Sequence, residues 1–306
     1  MIPYDPDDNR KPEMLVTDTQ SDIPPSGETI TTSNRLNLLQ MEMPPNVIDF
    51  RETKIVCGQA KRVHAVFDPA KFKTLEIIHI TDVQWGALTC QEERVEEFID
   101  WITSVPNRFV VFGGDMVDAN TVLSVGSPYE NKYEPKEQML RFVEVFGRMR
   151  HRVIGYVGGN HEARTSKAFG ECGSIIATLL KIPYSNGKQL IDIHFGSHKP
   201  FKIDLWHGTG GARTKGAKAQ MLHRFMQQGD SQLYLCGHLH DVVLLFDWRQ
   251  QRLNDGIHLE KIAGVMSSSF LDYWGTYAER AGLPPSDTMM ARCILEPTGH
   301  WEITLR

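Results

Sequence analysis

The sequence predicts an α/β fold, and two observations carry this prediction. Apolar runs typical of buried strands alternate with amphipathic helical patterns through the middle of the chain. This βαβαβ order predicts a mostly parallel sheet that is covered by helices. Four more strand-like runs follow, and only one of them has a clear helical pattern before it, so we expect a second sheet packed on the first.

The predicted elements follow each other in two groups. The first group contains the strand-like runs LEIIHI (75–80), RFVVFG (108–113) and VIGYVGG (153–159), with helical patterns near 91–104, 136–149 and 173–181. One face of the first helix carries Val95, Phe98, Ile99 and Ile102, and one face of the second carries Met139, Leu140, Val143 and Phe146. The second group contains LIDIHFG (190–196), FKIDLWHG (201–208), QLYLCG (232–237) and VVLLFDW (242–248), with a helix near 216–228.

Composition divides the chain into a tail and one domain. Residues 1–35 are rich in Asp, Pro, Ser and Thr and carry seven acidic residues against three basic ones, so we expect a disordered acidic tail. The remaining residues, 36–306, contain no long linker and no internal repeat, which predicts a single domain. Of the formal charge of −5, the tail accounts for −4, so the domain is nearly neutral at about −1.

The cysteines and the N-terminus predict a location. The five cysteines lie far apart and include no CxxC pair, which indicates neither a disulfide framework nor a thiolate zinc site. The N-terminus lacks the basic and apolar segments of a signal peptide, and no apolar run reaches the roughly 18 residues of a membrane span. We therefore expect a cytoplasmic protein that does not interact with membranes.

Residue types that bind metals follow five of the predicted strands at the point where each strand ends. They are Asp82 and Gln84, Asp115, Asn160 and His161, His207, and His238 and His240. Ligands of α/β sheets gather at the carboxyl ends of the strands. Each residue alone has an ordinary explanation as a turn residue, a helix cap or a buried histidine, but five such ends together predict a metal site.

The motifs at these ends, taken in order, resemble the signature of the calcineurin-like metallophosphoesterases. They are DxQ (82–84), GGD (113–115), GGNHE (158–162), WHG (206–208) and GHLH (237–240), and they span a little over half of the chain. The resemblance implies a four-layer αββα sandwich of two mixed sheets flanked by helices. It also implies a metal-dependent hydrolase that acts on phosphate esters.

The resemblance further implies two divalent metals bridged by Asp115. The first metal would be bound by Asp82, Gln84 and His240, and the second by Asn160, His207 and His238. Two cations about 3.5 to 4 Å apart can generate a bridging hydroxide that attacks phosphorus, and they can hold the phosphoryl oxygens. His161 is the expected proton donor, and Glu162 is a candidate to orient it.

Gln84 stands where most of the family has a histidine. A carboxamide oxygen is a harder and weaker ligand than imidazole, so we expect Mn²⁺, with Mg²⁺, Fe²⁺ and Zn²⁺ as alternatives, and looser binding. Loss of the first metal is the other outcome. The DVQ form is similar to the motif of manganese-dependent ADP-ribose and CDP-alcohol diphosphatases in the superfamily, so glutamine is compatible with catalysis.

Basic and aromatic residues near the motifs are candidates for substrate binding. Arg213 and Lys215 lie in a glycine-rich basic segment after His207, and Arg164 follows His161 by three residues. A flexible loop with a solvated basic helix start explains the same segment equally well.

In the loop 119–135, Tyr129 and Tyr133 either stack on a base or pack the loop down. Seven histidines outside the motifs are expected to be surface or core residues without a functional role: His79, His151, His194, His198, His223, His258 and His300.

The expected function is a phosphodiesterase that hydrolyses a nucleotide-type phosphodiester or diphosphate linkage. A nuclease acting on nucleic-acid ends and a phosphomonoesterase would use the same metals. A nearly neutral domain argues against binding long duplex DNA, which usually needs a broad basic face. A non-catalytic scaffold that has lost the first metal is the alternative from another class. The sequence leaves the oligomeric state open.

Overall fold

The structure is a computed structural model, and it describes residues 54–56, 58–124, 126–168 and 170–306. The predicted acidic tail, residues 1–35, and the predicted start of the domain at residue 36 lie outside the described residues, as does Cys57. The other four cysteines, Cys90, Cys172, Cys236 and Cys293, are buried free thiols. No helix within the described ranges combines the length and the apolar character needed to cross a bilayer.

Strands and helices form at each position where the hydrophobic pattern predicts them, and the structure adds others that were not predicted, such as the strands Gln59–Phe67 and Gly256–Met266. The strands are β1 (Lys54–Val56), β2 (Gln59–Phe67), β3 (Leu75–Ile80), β4 (Arg108–Phe112), β5 (Val153–Val157), β6 (Tyr184–Ser185), β7 (Gln189–Phe195), β8 (Phe201–Leu205), β9 (Leu233–Cys236), β10 (Val243–Leu253), β11 (Gly256–Met266), β12 (Ala291–Leu295) and β13 (Trp301–Leu305). The helices are α1 (Glu92–Thr103), α2 (Pro135–Gly147), α3 (Asn160–Ala163), α4 (Cys172–Leu180), α5 (Lys215–Met226) and α6 (Tyr277–Arg280). The predicted helices near 91–104, 136–149, 173–181 and 216–228 are confirmed as α1, α2, α4 and α5.

The three strands of the first group, β3, β4 and β5, lie in a six-stranded sheet with the order β13-β12-β3-β4-β5-β6. Strands β3 to β6 run parallel, and α1, α2 and α4 connect them in sequence. All six residues of β3 are buried, as expected for a central strand with both faces covered. The last two strands of the chain, β12 and β13, add to the edge in antiparallel orientation and make the sheet mixed.

The four strands of the second group, β7, β8, β9 and β10, lie in a seven-stranded sheet with the order β1-β2-β7-β8-β9-β11-β10. Neighbours β2 and β7, β8 and β9, and β9 and β11 are parallel, and the remaining neighbours are antiparallel. The predicted second sheet is therefore confirmed. Its strands β8 and β9 end on the motifs WHG and GHLH.

Three layers of buried side chains join the elements into the predicted αββα sandwich. Residues such as Phe67, Phe109 and Leu205 fill the space between the two sheets. Helices α1, α2 and α4 cover the outer face of the six-stranded sheet, and α5 covers the seven-stranded sheet. One residue departs from the pattern, because Leu140 on α2 is 53% exposed while Phe142 and Phe146 face the core.

Candidate metal centre

Four of the five strand ends that carry the motifs are joined in pairs by backbone hydrogen bonds. Asp82 N donates to Gly114 O and Gln84 N to Asp115 O, each at 2.9 Å, which joins the loops after β3 and β4. Gly237 N donates to His207 O at 2.9 Å and joins the loops after β8 and β9. These bonds fix the backbone from which the predicted ligands project.

Strained backbone is concentrated among the predicted ligands. Five of the seven described non-glycine residues with positive φ are predicted ligands, namely Asp82, Gln84, Asp115, His238 and His240, with φ between 46° and 72°. This left-handed conformation is unfavourable for residues with a Cβ, and it is maintained only where the surroundings enforce it. Such strain is typical of a functional site.

Close backbone approach explains two motif glycines. A Cβ at Gly159 would lie 2.1 Å from Asp115 Oδ1, and a Cβ at Gly237 would lie 2.2 Å from Asp82 Oδ2. Any side chain at these positions would displace a carboxylate. The glycines of GGNHE and GHLH therefore let the loops after β5 and β9 reach the aspartates of the loops after β4 and β3.

Each aspartate uses one carboxylate oxygen for structure and leaves the other for the site. Asp82 Oδ2 accepts from His238 N at 2.9 Å and from Thr81 Oγ1 at 2.7 Å. Asp115 Oδ1 accepts from His161 N at 2.8 Å. The remaining oxygen of Asp82, Oδ1, is buried and makes no hydrogen bond, although His240 Nε2 lies 3.1 Å away. An orphaned carboxylate oxygen of this kind is what a bound cation would satisfy.

The first cluster centres on His240 Nε2. This atom lies 3.1 Å from Asp82 Oδ1, an acceptor, and 3.2 Å from Gln84 Nε2, a donor. A single ring nitrogen cannot donate to the first and accept from the second at once. A cation removes the conflict, because Gln84 can rotate its amide to present Oε1 beside the carboxylate and the imidazole. The residue set fits a divalent ion.

The second cluster centres on His207 Nε2. Its ring is fixed by Nδ1–H, which donates to Gly113 O at 2.9 Å. The Nε2 atom then faces three acceptor atoms, at 3.2 Å from Asp115 Oδ2, 3.2 Å from Asn160 Oδ1 and 3.3 Å from His238 Nδ1. His238 keeps Nδ1 free for this contact because its Nε2–H donates to Gly210 O at 2.9 Å. Four acceptor atoms facing one another fit a second cation.

The pKa values of Asp115 and His207 are shifted because acceptor atoms crowd the second cluster. Burial alone would raise the pKa of Asp115, but His161 and His207 hold it well below its ordinary value. Burial alone would lower the pKa of His207, but Asp115 raises it to about 10. A proton on His207 therefore supplies the positive charge that a metal ion would supply to the same atoms.

His161 lies beside the second cluster, but the residues that orient it differ from the prediction. Its Nε2 is 3.6 Å from Asp115 Oδ2. Its Nδ1 lies 3.0 Å from both Oδ1 and the main-chain oxygen of Asp118, and 2.8 Å from Arg164 Nη1. Arg164 Nη1 also donates to Asn120 Oδ1 at 2.6 Å. Asp118 and Arg164 thus flank the His161 ring, and Asn120 contacts Arg164. The Glu162 carboxylate is bonded to other groups, so its predicted role of orienting His161 is not supported.

Glu162 instead anchors the loop that carries Asp115. Its buried carboxylate accepts from the backbone N–H groups of Asp115, Met116 and Gly159, at 2.7 to 2.9 Å, and from Tyr156 Oη at 2.9 Å. Burial and the nearby charge of Asp115 raise the pKa of Glu162. The carboxylate fixes the positions of the second and third motifs relative to each other.

The basic segment after His207 is only partly available to a substrate. Lys215 pairs with Asp241 and donates to Val242 O at 2.8 Å, while the buried Lys218 donates to Asp241 Oδ2 at 2.8 Å. Asp241 directly follows His240, so these lysines hold the GHLH loop. The predicted substrate contact of Lys215 is therefore not supported, whereas Arg213 is exposed at the start of the segment.

Sequence reasoning missed a buried histidine beneath the site. His79, on β3, was assigned no role, yet its Nδ1 lies 2.9 Å from Ser267 Oγ and its Nε2 is buried without a partner. Burial lowers the pKa of His79 to about 3, so the ring is neutral.

Sequence reasoning also missed Asp118 and Asn120. The sequence signal that could have indicated them is their position, since these two polar residues lie three and five residues after Asp115; the structure buries both.

A family model described as calcineurin-like phosphoesterase matches residues 75–242, which is more than half of the chain and contains all the motif residues. The chain belongs to the calcineurin-like phosphoesterase family. No curated protein matches the chain. Membership makes the chain a metal-dependent phosphoesterase, whose family binds two divalent metals.

Several solved structures are similar to this calcineurin-like phosphoesterase at low identity. A predicted phosphoesterase from Streptococcus pneumoniae TIGR4 is 17% identical, with 76% of this chain and 98% of that chain covered and a TM-score of 0.31. A metallophosphoesterase from Sphaerobacter thermophilus is 13% identical, with 76% and 87% covered and a TM-score of 0.37. Vps29 from Chaetomium thermophilum is 9% identical, with 76% and 96% covered and a TM-score of 0.33.

Proposed function

We propose that the protein is a dinuclear phosphodiesterase that hydrolyses a nucleotide-type phosphodiester or diphosphate linkage. The observation that carries the proposal is the pair of acceptor-rich clusters centred on His240 Nε2 and His207 Nε2, whose conflicts two cations would remove. Asp82, Gln84 and His240 would hold one ion, and Asn160, His207 and His238 the other. Asp115 would be shared between them.

The donor set favours Mn²⁺ at the first site. Asp82 and Gln84 offer oxygen atoms and His240 one nitrogen, a mixture that suits a harder ion than Zn²⁺. When bound, the two ions supply Lewis-acid activation of water and neutralise charge on the phosphoryl oxygens. The chain itself positions the carboxylates through the backbone contacts of Asp82 Oδ2 and Asp115 Oδ1.

His161 is the proposed proton donor to the leaving group. Asp118 and Arg164 flank its Nδ1, which leaves Nε2 on the side of Asp115 Oδ2. A group held in this way can deliver a proton without rotating away from the substrate. Arg164 acts here as a positioning residue. Arg213, exposed on the loop after His207, is the basic residue proposed to contact substrate phosphate.

Two exposed aromatic side chains, on loops that are linked to each other and to the Asp82 loop, support a substrate with a flat base. Tyr129 is 92% exposed and Trp274 is 76% exposed. Their loops are joined by the ion pair of Arg280 and Glu130 at 2.9 Å, and the loop of Trp274 is tied to the site because Phe270 N donates to Asp82 O at 3.1 Å. Exposed aromatic rings at the border of a phosphate site can stack on a nucleobase. Tyr133 is excluded from this role, since it packs under the Arg141 guanidinium.

The test is hydrolysis of bis(p-nitrophenyl) phosphate against p-nitrophenyl phosphate by metal-stripped protein titrated with Mn²⁺, Mg²⁺ and Zn²⁺. We expect Mn²⁺-dependent cleavage of the diester, and loss of that cleavage in Asp115→Asn. Preferred cleavage of the monoester would make the protein a phosphomonoesterase. No turnover with any metal, together with substoichiometric metal binding, would contradict catalysis and favour a scaffold.

A further inference from the structure

A second group of metal-binding side chains lies on the outer face of the seven-stranded sheet, away from the motif loops. His64 is on β2, and Asp192 and His194 are on the neighbouring strand β7. In the parallel register His64 lies opposite Asp192, and Val66 lies opposite His194. The alternate residues of both strands, such as Val63 and Ile193, are buried in the core between the sheets. We call these three residues the β2–β7 histidine cluster.

The distances within the β2–β7 histidine cluster match those of a tetrahedral metal site. His64 Nδ1 lies 3.1 Å from His194 Nε2 and 3.4 Å from Asp192 Oδ2. One donor atom of each residue lies within 4.8 Å of the other two. Two ligands bound to Zn²⁺ at about 2.0 to 2.1 Å in tetrahedral geometry are separated by about 3.4 Å. No large rearrangement is needed to bring the three residues onto one ion.

The surroundings of the cluster support the carboxylate as a ligand. Arg62 Nε and Nη2 both donate to Asp192 Oδ2, at 2.8 and 2.6 Å, which orients the carboxylate beside His64. Lys202, opposite Asp192 on β8, is engaged with Asp230 instead. The side chains of His64 and Asp192 are 15% and 5% exposed, so the cluster is sheltered but lies at the surface.

We propose that His64, Asp192 and His194 form a zinc site that is separate from the dinuclear centre. Two imidazoles and one carboxylate suit a borderline ion such as Zn²⁺, with water completing the tetrahedron. The site would join β2 to β7 across 130 residues of sequence. An ion held there stabilises the folded state, since the unfolded chain does not bring the three ligands together.

The test counts the Zn²⁺ ions bound by the full chain under a buffered free Zn²⁺ concentration. The variant His64→Gln/His194→Gln keeps polar side chains on the sheet but removes both imidazoles. His258→Gln is the matched control. His258 is exposed and its Nε2 lies 2.9 Å from Asp255 Oδ1, so it pairs with a carboxylate as His64 does, but that pair contains no second imidazole. We expect the wild type and His258→Gln to bind one more Zn²⁺ than the double variant. Equal counts in all three chains would overturn the proposal.

Two further measurements distinguish loss of the proposed zinc site from damage to the dinuclear centre. Mn²⁺-dependent phosphoesterase turnover should be the same in the double variant and the wild type, which also shows that the variant folds. Each single variant, His64→Gln and His194→Gln, should weaken binding of the extra Zn²⁺ by about tenfold or more. If a single variant retains the ion with wild-type affinity, that histidine is not a ligand and the proposed site is wrong.

Discussion

In the proposed centre, Gln84 would determine how firmly the first metal is held. In the structure its amide nitrogen faces His240 Nε2 at 3.2 Å, although the neighbouring Asp82 Oδ1 needs a positive partner. Binding an ion therefore requires the amide to rotate and present its oxygen. A neutral amide oxygen is a weaker ligand than imidazole for a borderline ion. In the proposed centre, the identity of this one side chain would set both the affinity and the metal preference of the first site.

Gln84→His should raise the affinity for Zn²⁺ at the first site by about tenfold or more, because an imidazole replaces a weak oxygen ligand. The affinity is measured by competition with a chelator of known strength. Gln84→Ala is the control and should lower the affinity, since it removes the ligand altogether. Equal Zn²⁺ affinity in the wild type and both variants would show that residue 84 does not bind metal.

Asp118→Asn should lower kcat by about 10- to 100-fold with little change in KM. The substitution removes the charge beside His161 Nδ1 and Arg164, so the proton donor loses its fixed orientation. Steady-state kinetics with the diester substrate measures the effect, and the number of bound metal ions should not change. Asp272→Asn, an exposed aspartate that accepts from Gln91 Nε2, is the control and should retain wild-type kcat. Wild-type kcat in Asp118→Asn would remove Asp118 from the mechanism.

At the scale of elements, three neighbouring strands of the six-stranded sheet are joined through one acid. Glu76 on β3 accepts from Arg108 on β4 and from Arg292 on β12, each at 2.8 Å. Burial alone would raise the pKa of Glu76, but the two arginines lower it below its ordinary value of 4.5. Because the folded state favours the ionised form, this contribution to stability is complete above the unfolded pKa and is lost as the pH falls through the folded pKa.

Glu76→Gln should lower the free energy of unfolding by about 1 to 3 kcal/mol at neutral pH, since two charge-assisted hydrogen bonds are lost. The difference from wild type should shrink as the pH is lowered below 4.5. Urea unfolding of both chains across this range measures it. A difference that stays constant or grows in acid would contradict the assigned role of Glu76.

The sequence predicts the elements, and the residue types at strand ends, well because both have local signals. The apolar run at 75–80 and the helical spacing of Val95, Ile99 and Ile102 depend only on neighbouring residues, and the structure forms β3 and α1 there. The same holds for the placement of the ligand types at strand ends. The two sheets also follow from the change of pattern after the helix at Cys172–Leu180.

The contacts that support the site could not be predicted in this way, because they join residues distant in sequence. Asp118 reaches His161 across 43 residues, and Lys218 reaches Asp241 across 23. Glu162 follows His161 directly, which suggested a contact, but the turn of α3 directs its carboxylate toward Asp115 N instead. Which partner a polar side chain meets depends on how the loops close, and residue spacing carries no information about that.

At the scale of the whole molecule, the proposed metal centre would join the two sheets. Asp82, Asp115 and Asn160 follow strands of the six-stranded sheet, and His207 and His238 follow strands of the seven-stranded sheet. Ions bound by both groups must therefore oppose separation of the sheets. Metal binding and global stability should be coupled.

Mn²⁺ should raise the melting temperature of metal-stripped protein, and saturation at 100 times Kd should stabilise the folded state by about 2.7 kcal/mol for each independent site. Differential scanning calorimetry over a series of Mn²⁺ concentrations measures the effect. Asp115→Asn should show a smaller increase because the shared ligand is lost. A melting temperature that does not respond to Mn²⁺ in the wild type would contradict coupling of the sheets by metal.

The measurement that tests the dinuclear proposal most directly is an anomalous difference map from crystals of the wild type grown with Mn²⁺. We expect two peaks about 3.5 to 4 Å apart, with Asp115 between them, Gln84 Oε1 on one ion and Asn160 Oδ1 on the other. The same map for Asp115→Asn should show at most one strong peak. A single peak in the wild type, or two peaks without contact to Asp115, would contradict a centre built on a shared carboxylate.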